Sequence, residues 1–309
     1  MKIDLVYLWV DGNDTVWAEK RRRFTDDPNK YADTCKGRFA NNDELKFSLR
    51  SVEQYSPWIN KIHIVTDGQT PDWLNISHPK IHMVDHTEIL PPEELPTFNS
   101  VVIEHALHRI PGLSEHFIYA NDDMFFNRPT APSDFFTREG LPVVRMNRRP
   151  LRKFTLWFQR TLQGKELSNY NRTILNAALL IKEKFGKYIG SKTHHNIDAY
   201  LKSVYEETYN TFENQIRPTL SHKMRHDDDI QRNIYSYYLI VKNKCRLDYV
   251  GRSTSFRLHI DNHSHYGKLL KSNPLLFCVN DSQYATDEDR AYLGDFLKKR
   301  FPDKCSFEK

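Results

Sequence analysis

The sequence contains few cysteines, and none of them are paired at a metal-binding spacing. Four occur in 309 residues, at Cys35, Cys245, Cys278 and Cys305. Zinc sites and disulfide-rich scaffolds bring cysteines together in close or regular spacings. The spacing here argues against both, and we expect free thiols in a reducing compartment.

Long apolar runs are also absent. No stretch approaches the roughly 18 uncharged apolar residues that a membrane-spanning helix requires. The apolar run at residues 3–10 is short, contains Asp4 and is followed by Asp11, so it predicts a buried strand instead of a signal peptide. We therefore expect a cytoplasmic protein, with peripheral attachment to the inner face of the membrane as a further option.

The glycine-rich signatures of several enzyme classes do not occur. GxxxxGK[ST], GxGxxG and GxSxG are all missing, which argues against P-loop NTPases, dinucleotide-binding dehydrogenases and α/β-hydrolases. The net charge of +5 suits an anionic ligand such as a nucleotide sugar, but it is too small to indicate nucleic-acid binding. Aromatic residues make up 13% of the chain, which is too many for a disordered protein.

Apolar runs and helical patterns alternate in the first half of the chain. Strands are predicted at residues 3–10, 61–68, 80–86 and 116–126, and helices at 14–23, from Asn42 or Asp43 onward, and at 99–110. This alternation predicts an α/β fold with a Rossmann-like, mostly parallel central sheet. Residues 275–281 predict a further strand, and 287–300 a closing helix.

Residues 150–245 have a different texture. They are rich in Lys, Arg, His and Tyr, show little strand character, and include a predicted helix over 221–244. No Gly/Ser-rich linker flanks them. We therefore expect a helical insertion or cap within a single domain of residues 1–309, instead of a separate domain.

Acidic residues follow several predicted strands, at the edge where parallel sheets bind ligands. The run Asn121-Asp122-Asp123 suits Mg²⁺ or Mn²⁺ held against a diphosphate, and a solvated acidic turn is an equal alternative. Asp11-Gly12 can serve a ribose or a base, or can form a plain turn. The same choice applies to Asn280-Asp281 in the last predicted strand.

Two basic segments are candidates for acid–base work and phosphate binding. His195 can act as a general base near neutral pH, although isolated histidines are more often structural. In HKMRHDDD (222–229), Arg225 and Lys223 can grip phosphate. Asp229 follows Arg225 by four residues, so the two also fit a helical salt bridge.

Taken together, these segments resemble the four blocks of the Stealth family, which includes bacterial capsular-polysaccharide phosphotransferases. The matching segments are IDLVYLWVDGND-x-x-W (3–17); NNDELKFSLRSVEQYSPWINKIHIVTDGQTPDWLN (41–75) with LPTFNSVVIEHALHRIPGLSEHFIYANDDMFF (95–126); HNIDAYLK (195–202) with HKMRHDDDIQ (222–231); and LLFCVNDSQ (275–283). The resemblance spans nearly the whole chain. It implies a glycosyltransferase-A-like form of the predicted sheet.

The resemblance also implies an activity. A hexose-1-phosphate would pass from a UDP-hexose or UDP-N-acetylhexosamine to a hydroxyl of an oligo- or polysaccharide, releasing UMP and forming a phosphodiester in capsule or exopolysaccharide synthesis. The alternatives are a metal-dependent glycosyltransferase that releases UDP, and a non-catalytic glycan-binding protein. Expected partners are these sugars and, at the inner membrane, the capsule assembly machinery, but no nucleic acid.

Site residues follow from the same resemblance. The expected catalytic residues are His195, Asp122, Arg225 and Asp229, with His194 as a rival to His195. Mg²⁺ or Mn²⁺ would be held by Asp122, Asp123 and Asp281. The expected substrate-binding residues are Asp11, Gly12, Asn42, Asp43, Glu44, Asn99, His108, Asn121, Lys202 and Asn280.

Overall fold

A five-stranded sheet forms the centre of the fold. The computed structural model describes residues 1–25, 39, 41–148, 167–282 and 284–309. The sheet contains β1 (Ile3–Leu8), β2 (Ile62–Thr66), β3 (Ile81–Asp85), β4 (His116–Asn121) and β7 (Asp198–Leu201), in the order β3-β2-β1-β4-β7. β1 to β4 are mutually parallel, and β7 runs antiparallel to β4. The predicted α/β fold with a mostly parallel sheet is confirmed.

Two smaller sheets accompany the central one. β5 (Met124–Phe126), β9 (Ser255–His259) and β10 (Leu276–Asn280) form a three-stranded sheet, in which β10 lies between the other two. β6 (Val143–Met146) pairs with β8 (Arg246–Tyr249). Because β4 and β5 belong to different sheets, the two residues between them, Asp122 and Asp123, lie at the junction of the sheets.

Ten α-helices surround these sheets in the described part of the chain. They are α1 (Thr15–Arg22), α2 (Glu44–Tyr55), α3 (His86–Ile89), α4 (Ser100–His105), α5 (Asn169–Phe185), α6 (Lys202–Thr211), α7 (Glu213–Ile216), α8 (Asn233–Val241), α9 (Ser264–Ser272) and α10 (Asp287–Arg300). α1, α2 and α10 match the predicted helices. The predicted helix over 99–110 is divided into α4 and a 3₁₀ turn at Leu107–Arg109.

The second half of the chain departs from the prediction in two places. β7 lies in a region that was expected to be helical, and it completes one edge of the central sheet. The predicted helix over 221–244 is wrong in its first half, because α8 begins only at Asn233 and residues 222–230 form an irregular loop. Residues 150–166 lie outside the described part of the chain.

The cysteines and the helices bear on two further expectations. Cys245, Cys278 and Cys305 are free thiols, and Cys35 lies outside the described residues. Of the helices that the structure describes, none is long and apolar enough to cross a lipid bilayer.

Candidate active site

A cavity of about 440 Å³ opens along the carboxyl edge of the central sheet. Residues at or just after the ends of β1, β2 and β4 line it, and β9 and β10 contribute from the second sheet. Eight of the predicted site residues line this one cavity: Glu44, Asn121, Asp122, Asp123, His195, Arg225, Asn280 and Asp281. Residues up to 237 positions apart in sequence therefore meet at the edge where parallel sheets bind ligands.

Asp122 and Asp123 place two neighbouring carboxyl groups in this cavity. Burial, the neighbouring Asp123 and the nearby Glu44 raise the pKa of Asp122 well above its usual range. Burial and Glu44 likewise raise the pKa of Asp123 to about 7. One carboxyl oxygen of Asp123, Oδ1, is buried and accepts no hydrogen bond. The protein therefore leaves one oxygen of this pair without a hydrogen-bond donor.

The backbone around this pair is held firmly in place. The Val279 amide of β10 donates to the Asp123 carbonyl at 2.8 Å, which ties the turn to the second sheet. On the other side, the Ser48 hydroxyl donates to the Met124 carbonyl. The position of both carboxyl groups is therefore set by α2 and by both sheets together.

His195 faces the acid pair across the cavity. Its Nε2 lies 4.0 Å from Asp123 Oδ2, and 30% of its side chain is exposed. Burial lowers the pKa of His195 to about 3, with further contributions from the guanidinium groups of Arg257 and Arg232. The imidazole is therefore neutral at physiological pH and keeps a free lone pair on one ring nitrogen.

The adjacent His194 has different surroundings. Its side chain is only 3% exposed, does not line the cavity, and lies with Nε2 3.2 Å from the Asp198 carboxylate. Of the two rivals, His195 is the one that reaches the cavity.

Three arginines also line the cavity. Arg225 lines the cavity and donates from Nη2 to the Ser100 hydroxyl at 2.7 Å. Arg257 on β9 lines it from the second sheet, and Arg232 lies at its floor. Because guanidinium groups pair with phosphate oxygens through parallel hydrogen bonds, this arrangement suits an anionic ligand.

Arg232 belongs to a buried network that sequence reasoning missed. Its Nη1 donates to Asp198 Oδ2 at 2.9 Å, and its Nε lies 3.7 Å from Glu104 Oε1. The guanidinium carbon lies 4.1 Å from the centre of the Tyr119 ring. A salt bridge and a ring contact therefore fix this cation under the cavity, where it faces Glu104.

The edge of the cavity near β2 and β3 is more apolar. Trp9, Trp17 and Phe98 line it, and the last two rings meet edge to face at 5.4 Å. Asp67 lies at the end of β2 and forms an ion pair with Lys20 at 2.7 Å. Flat aromatic walls beside a hydrogen-bonding acid suit a nucleoside.

Asp229 and Asn99 do not line the cavity. Asp229 is 1% exposed and accepts hydrogen bonds from Asn99 Nδ2 at 2.8 Å and from His222 Nδ1 at 2.7 Å. Asn99 also caps α4 by accepting from the Val101 amide. These contacts hold the irregular 222–230 loop against α4. The proposed helical salt bridge between Arg225 and Asp229 is wrong, since neither the helix nor the contact exists.

Four other predicted substrate residues lie in the loops beside the cavity. Asn42 donates from its amide and its side chain to Glu44, each at 2.7 Å, and so orients that carboxylate. Asp43 is exposed and precedes α2. The Asp11 amide donates to Gln69 Oε1, and Gly12 packs so closely on the Phe39 carbonyl that a Cβ would lie 2.1 Å from it.

His108 and Lys202 lie away from the cavity. His108 is packed beside Tyr205 and Tyr209, and burial lowers its pKa to about 4. Lys202 begins α6 with its amide bonded to the Glu115 carbonyl. Their predicted part in substrate binding is not supported by contact with the cavity.

Sequence reasoning missed Glu104, Arg232 and Arg257. Glu104 lies inside the segment TFNSVVIEH, where an acid within an apolar run was the available signal. Arg232 directly follows Gln231, the last residue of the segment HKMRHDDDIQ that carries the family resemblance. Arg257 carries no local signal, since only the pairing of β9 with β10 brings it to the site.

The residues present fit a divalent cation at the acid pair. Asp123 Oδ1 is buried without a partner, and two adjacent carboxylates suffice for Mg²⁺, which takes its remaining ligands from water and phosphate. Asp281, the third predicted metal ligand, differs from this pair because both of its carboxyl oxygens accept hydrogen bonds from Arg290, at 2.9 and 3.1 Å. Within the described residues, no three His, Cys, Asp or Glu side chains are arranged to hold a metal ion.

Carboxyl groups, an imidazole and guanidinium groups thus meet at the sheet edge of an α/β protein, an arrangement that suits catalysis on an anionic group. Family models carry this further. The model of Stealth protein CR1, conserved region 1, matches residues 1–27, and that of Stealth protein CR2, conserved region 2, matches residues 38–144.

Curated relatives match 91–99% of this chain. Receptor polysaccharide phosphotransferase WefC of Streptococcus gordonii is 34% identical, with 99% of each chain covered. An exopolysaccharide phosphotransferase of Streptomyces coelicolor is 36% identical over 99% of this chain, which spans about half (52%) of that protein. A capsular polysaccharide phosphotransferase of Haemophilus influenzae is 35% identical over 91% of this chain and 78% of its own.

The chain belongs to the Stealth family and is an enzyme of the phosphotransferase class. Among solved structures, it is similar to the galactosyltransferase LgtC in complex with donor and acceptor sugar analogs, at 11% identity and a TM-score of 0.47. That similarity covers 97% of this chain and 95% of LgtC.

Proposed function

We propose that the enzyme transfers a hexose-1-phosphate from a UDP-sugar to a hydroxyl group of an acceptor glycan, with release of UMP. The observation that carries the proposal is the placement of Asp122 and Asp123 opposite His195 in a single cavity, with Asp123 and His195 4.0 Å apart. The names of the relatives, which are polysaccharide phosphotransferases, support the same reaction class.

The reaction requires one bond to form and one to break. An acceptor hydroxyl oxygen bonds to the β-phosphorus, the bond from that phosphorus to the bridging oxygen breaks, and UMP leaves with the electron pair. The acceptor proton passes to the free ring nitrogen of His195, which its low pKa keeps neutral beforehand. The negative diphosphate beside the imidazole would raise that pKa and so improve the base.

The remaining residues bind and orient the donor. Arg225 and Arg257 would hold phosphate oxygens through charge-assisted hydrogen bonds. Asp122 and Asp123 would hold Mg²⁺ or Mn²⁺, which neutralises charge on the diphosphate when bound. The aromatic wall of Trp17 and Phe98 would receive the uridine. Asp11, beside the cavity, and Asn280, in its lining, keep their predicted substrate roles as part of this proposal.

The biological setting forms part of the proposal. The product would be a phosphodiester within a capsular or exopolysaccharide. The enzyme would act on the cytoplasmic side, in peripheral contact with the inner membrane or with the capsule assembly machinery. A net charge of +5 favours the approach of both an anionic donor and an anionic membrane surface.

The decisive experiment resolves UMP from UDP. Purified enzyme is incubated with Mg²⁺, an oligosaccharide acceptor and UDP-glucose, UDP-galactose, UDP-N-acetylglucosamine or UDP-N-acetylgalactosamine in turn. We expect UMP from at least one donor, its loss on chelation with EDTA, and its recovery with Mg²⁺ or Mn²⁺. UDP as the product would instead identify a glycosyltransferase that attacks the anomeric carbon.

A matched pair of variants ties the reaction to the site. Asp122→Asn should lower the rate of UMP release about 100-fold or more, because it removes a carboxylate that would hold the divalent cation against the diphosphate. Asp85→Asn is the control, since Asp85 also ends a strand of the same sheet but lies outside the cavity. Equal activity in the two variants would refute the assignment of the acid pair.

A further inference from the structure

Glu104 and Arg232 form a polar floor to the cavity. The two side chains are each 7% exposed as whole residues, and both line the cavity. They belong to different parts of the chain, α4 and the turn before α8. The placement of two opposite charges at the base of an enclosed space is costly unless both are paired or serve a ligand.

Each of the two side chains has a hydrogen-bonding atom without a partner. Glu104 Oε1 accepts from the Tyr119 hydroxyl at 2.9 Å, but Oε2 is buried and accepts nothing. Arg232 Nη1 is bonded to Asp198, but Nε is buried and donates to nothing, lying 3.7 Å from Glu104 Oε1. One acceptor and one donor thus remain unsatisfied at neighbouring positions.

This pair has the chemistry that binds a sugar hydroxyl. A hydroxyl donates one hydrogen bond and accepts others, so it can satisfy a carboxylate and a guanidinium at the same time. The surrounding cavity residues include the amides of Asn121 and Gln231 and the ring of Tyr170. Amides serve further hydroxyls, and an aromatic ring offers an apolar face with a polar tip.

The position of Glu104 connects it to the phosphate site. The Tyr119 hydroxyl that contacts Glu104 also lies 2.7 Å from Asn121 Oδ1, and Asn121 directly precedes the acid pair. A group bound at Glu104 would therefore lie near the carboxylates proposed to hold the diphosphate, with Tyr119 and Asn121 between the two positions. The hexose of a UDP-hexose is attached to that diphosphate directly.

We propose that Glu104 and Arg232 form the subsite for the donor hexose and read its ring hydroxyls. The inference rests on the proposed function, since it assigns the sugar part of the same donor. The donor hexose suits this floor better than the acceptor does, because a single terminal sugar can be enclosed whereas a polymeric acceptor needs an open surface. Arg232 then binds substrate as well as supporting the fold.

The test compares the binding of UDP with that of UDP-hexose. The affinities of both ligands are measured by calorimetry in Mg²⁺, with the best donor from the four-sugar panel, for wild type and Glu104→Gln. We expect Glu104→Gln to weaken UDP-hexose binding roughly 10- to 100-fold, as for loss of a charged hydrogen bond. The affinity for UDP should stay unchanged, because UDP has no hexose.

Glu94→Gln is the matched control. Glu94 is also buried, at 8% exposure, and also has an unpartnered oxygen, but it lies outside the cavity. It should leave both affinities as in wild type. Thermal melting of all three proteins confirms that each is folded before binding is measured.

The possible outcomes separate the subsite from the proposed function. If wild type binds no UDP-sugar, the proposed donor fails and the hexose subsite fails with it. If wild type binds UDP-hexose but Glu104→Gln weakens UDP equally, or weakens neither, the subsite alone is refuted. A raised KM for the acceptor glycan with unchanged UDP-hexose binding would assign Glu104 to the acceptor and likewise overturn the inference.

Discussion

His194 and His195 are adjacent in the chain, yet their side chains have different environments. His195 reaches the cavity, 4.0 Å from Asp123, while His194 is buried against Asp198. An imidazole that transfers a proton must touch the substrate, and only His195 lines the space where a substrate fits. The choice between them, which the sequence left open, therefore follows from side-chain direction.

Replacing each histidine with glutamine should have opposite effects. His195→Gln should lower kcat for UMP release about 10²- to 10⁴-fold with little change in melting temperature, since it removes proton transfer. His194→Gln should retain most of the kcat and lose about 1–3 kcal/mol of unfolding free energy, since it disturbs a buried polar contact. Equal loss of kcat in both variants would contradict the assignment.

The local sequence pattern was sufficient to predict site residues at the ends of strands. It was insufficient for site residues that reach the cavity only through pairing between distant strands. Asp122, Asp123 and Asn280 follow apolar runs that are visible in the sequence, and all three line the cavity. Arg257 lies mid-strand on β9 and reaches the site only because β9 pairs with β10. Pairing between strands is a non-local property that a single sequence does not display.

Among the elements, short strands were the hardest to predict. β7 has four residues, Asp198–Leu201, and follows a polar histidine-rich segment. Its residues do not alternate between apolar and polar as those of a half-buried strand do, so the sequence gives no signal for it. Its pairing with β4 stabilises it instead. For residues 222–230 a helix was predicted where the structure has a loop. The buried Asp229 accepts a hydrogen bond from Asn99 and holds this loop in place.

The start of α2 offers a test at the element scale. Asp43 precedes the helix with φ 62°, in the left-handed region, and its side chain makes no capping hydrogen bond. Asp43→Val should cost roughly 1–2 kcal/mol of unfolding free energy, because a β-branched residue is strained there. Asp43→Gly should be at least as stable as wild type, because glycine adopts this conformation freely. Urea denaturation measures both.

The Asp43→Gly variant also tests the predicted role of Asp43 in substrate binding. Asp43 is exposed and lies outside the cavity, so Asp43→Gly should bind UDP-sugar as wild type does. A loss of donor affinity in Asp43→Gly, with stability preserved, would return this residue to the substrate site.

Across the whole molecule, the cavity and the buried carboxylate of Asp4 lie at opposite edges of the central sheet. The cavity lies at the carboxyl ends of β1, β2 and β4, where loops from both sheets meet. At the amino end of β1, Asp4 is fully buried and accepts hydrogen bonds from Asn60, Lys61 and Ser114. At about 3.3 Å per residue, some 13 Å of strand separates Asp4 from Leu8 at the cavity.

This separation allows the effect of acid on the stability of the fold to be tested at a residue away from the site. Burial alone would raise the pKa of Asp4, but hydrogen bonds from His63, Asn60 and Ser114 lower it to about 2. Because the folded pKa is below the unfolded value of about 3.9, the carboxylate stabilises the fold above pH 4. That contribution, about 2.5 kcal/mol, is lost progressively as the pH falls from about 4 through 2.

Asp4→Asn should therefore lower the unfolding free energy at pH 7 by about 2–3 kcal/mol. The difference from wild type should shrink as the pH falls from 4 to 2, because the wild-type carboxyl is then protonated as well. Urea denaturation at several pH values measures this. At pH 7 and below its melting temperature, the variant should keep the kcat of wild type, since Asp4 lies outside the cavity. A difference in stability that does not vary with pH would show that the ionised carboxylate is not the stabilising species.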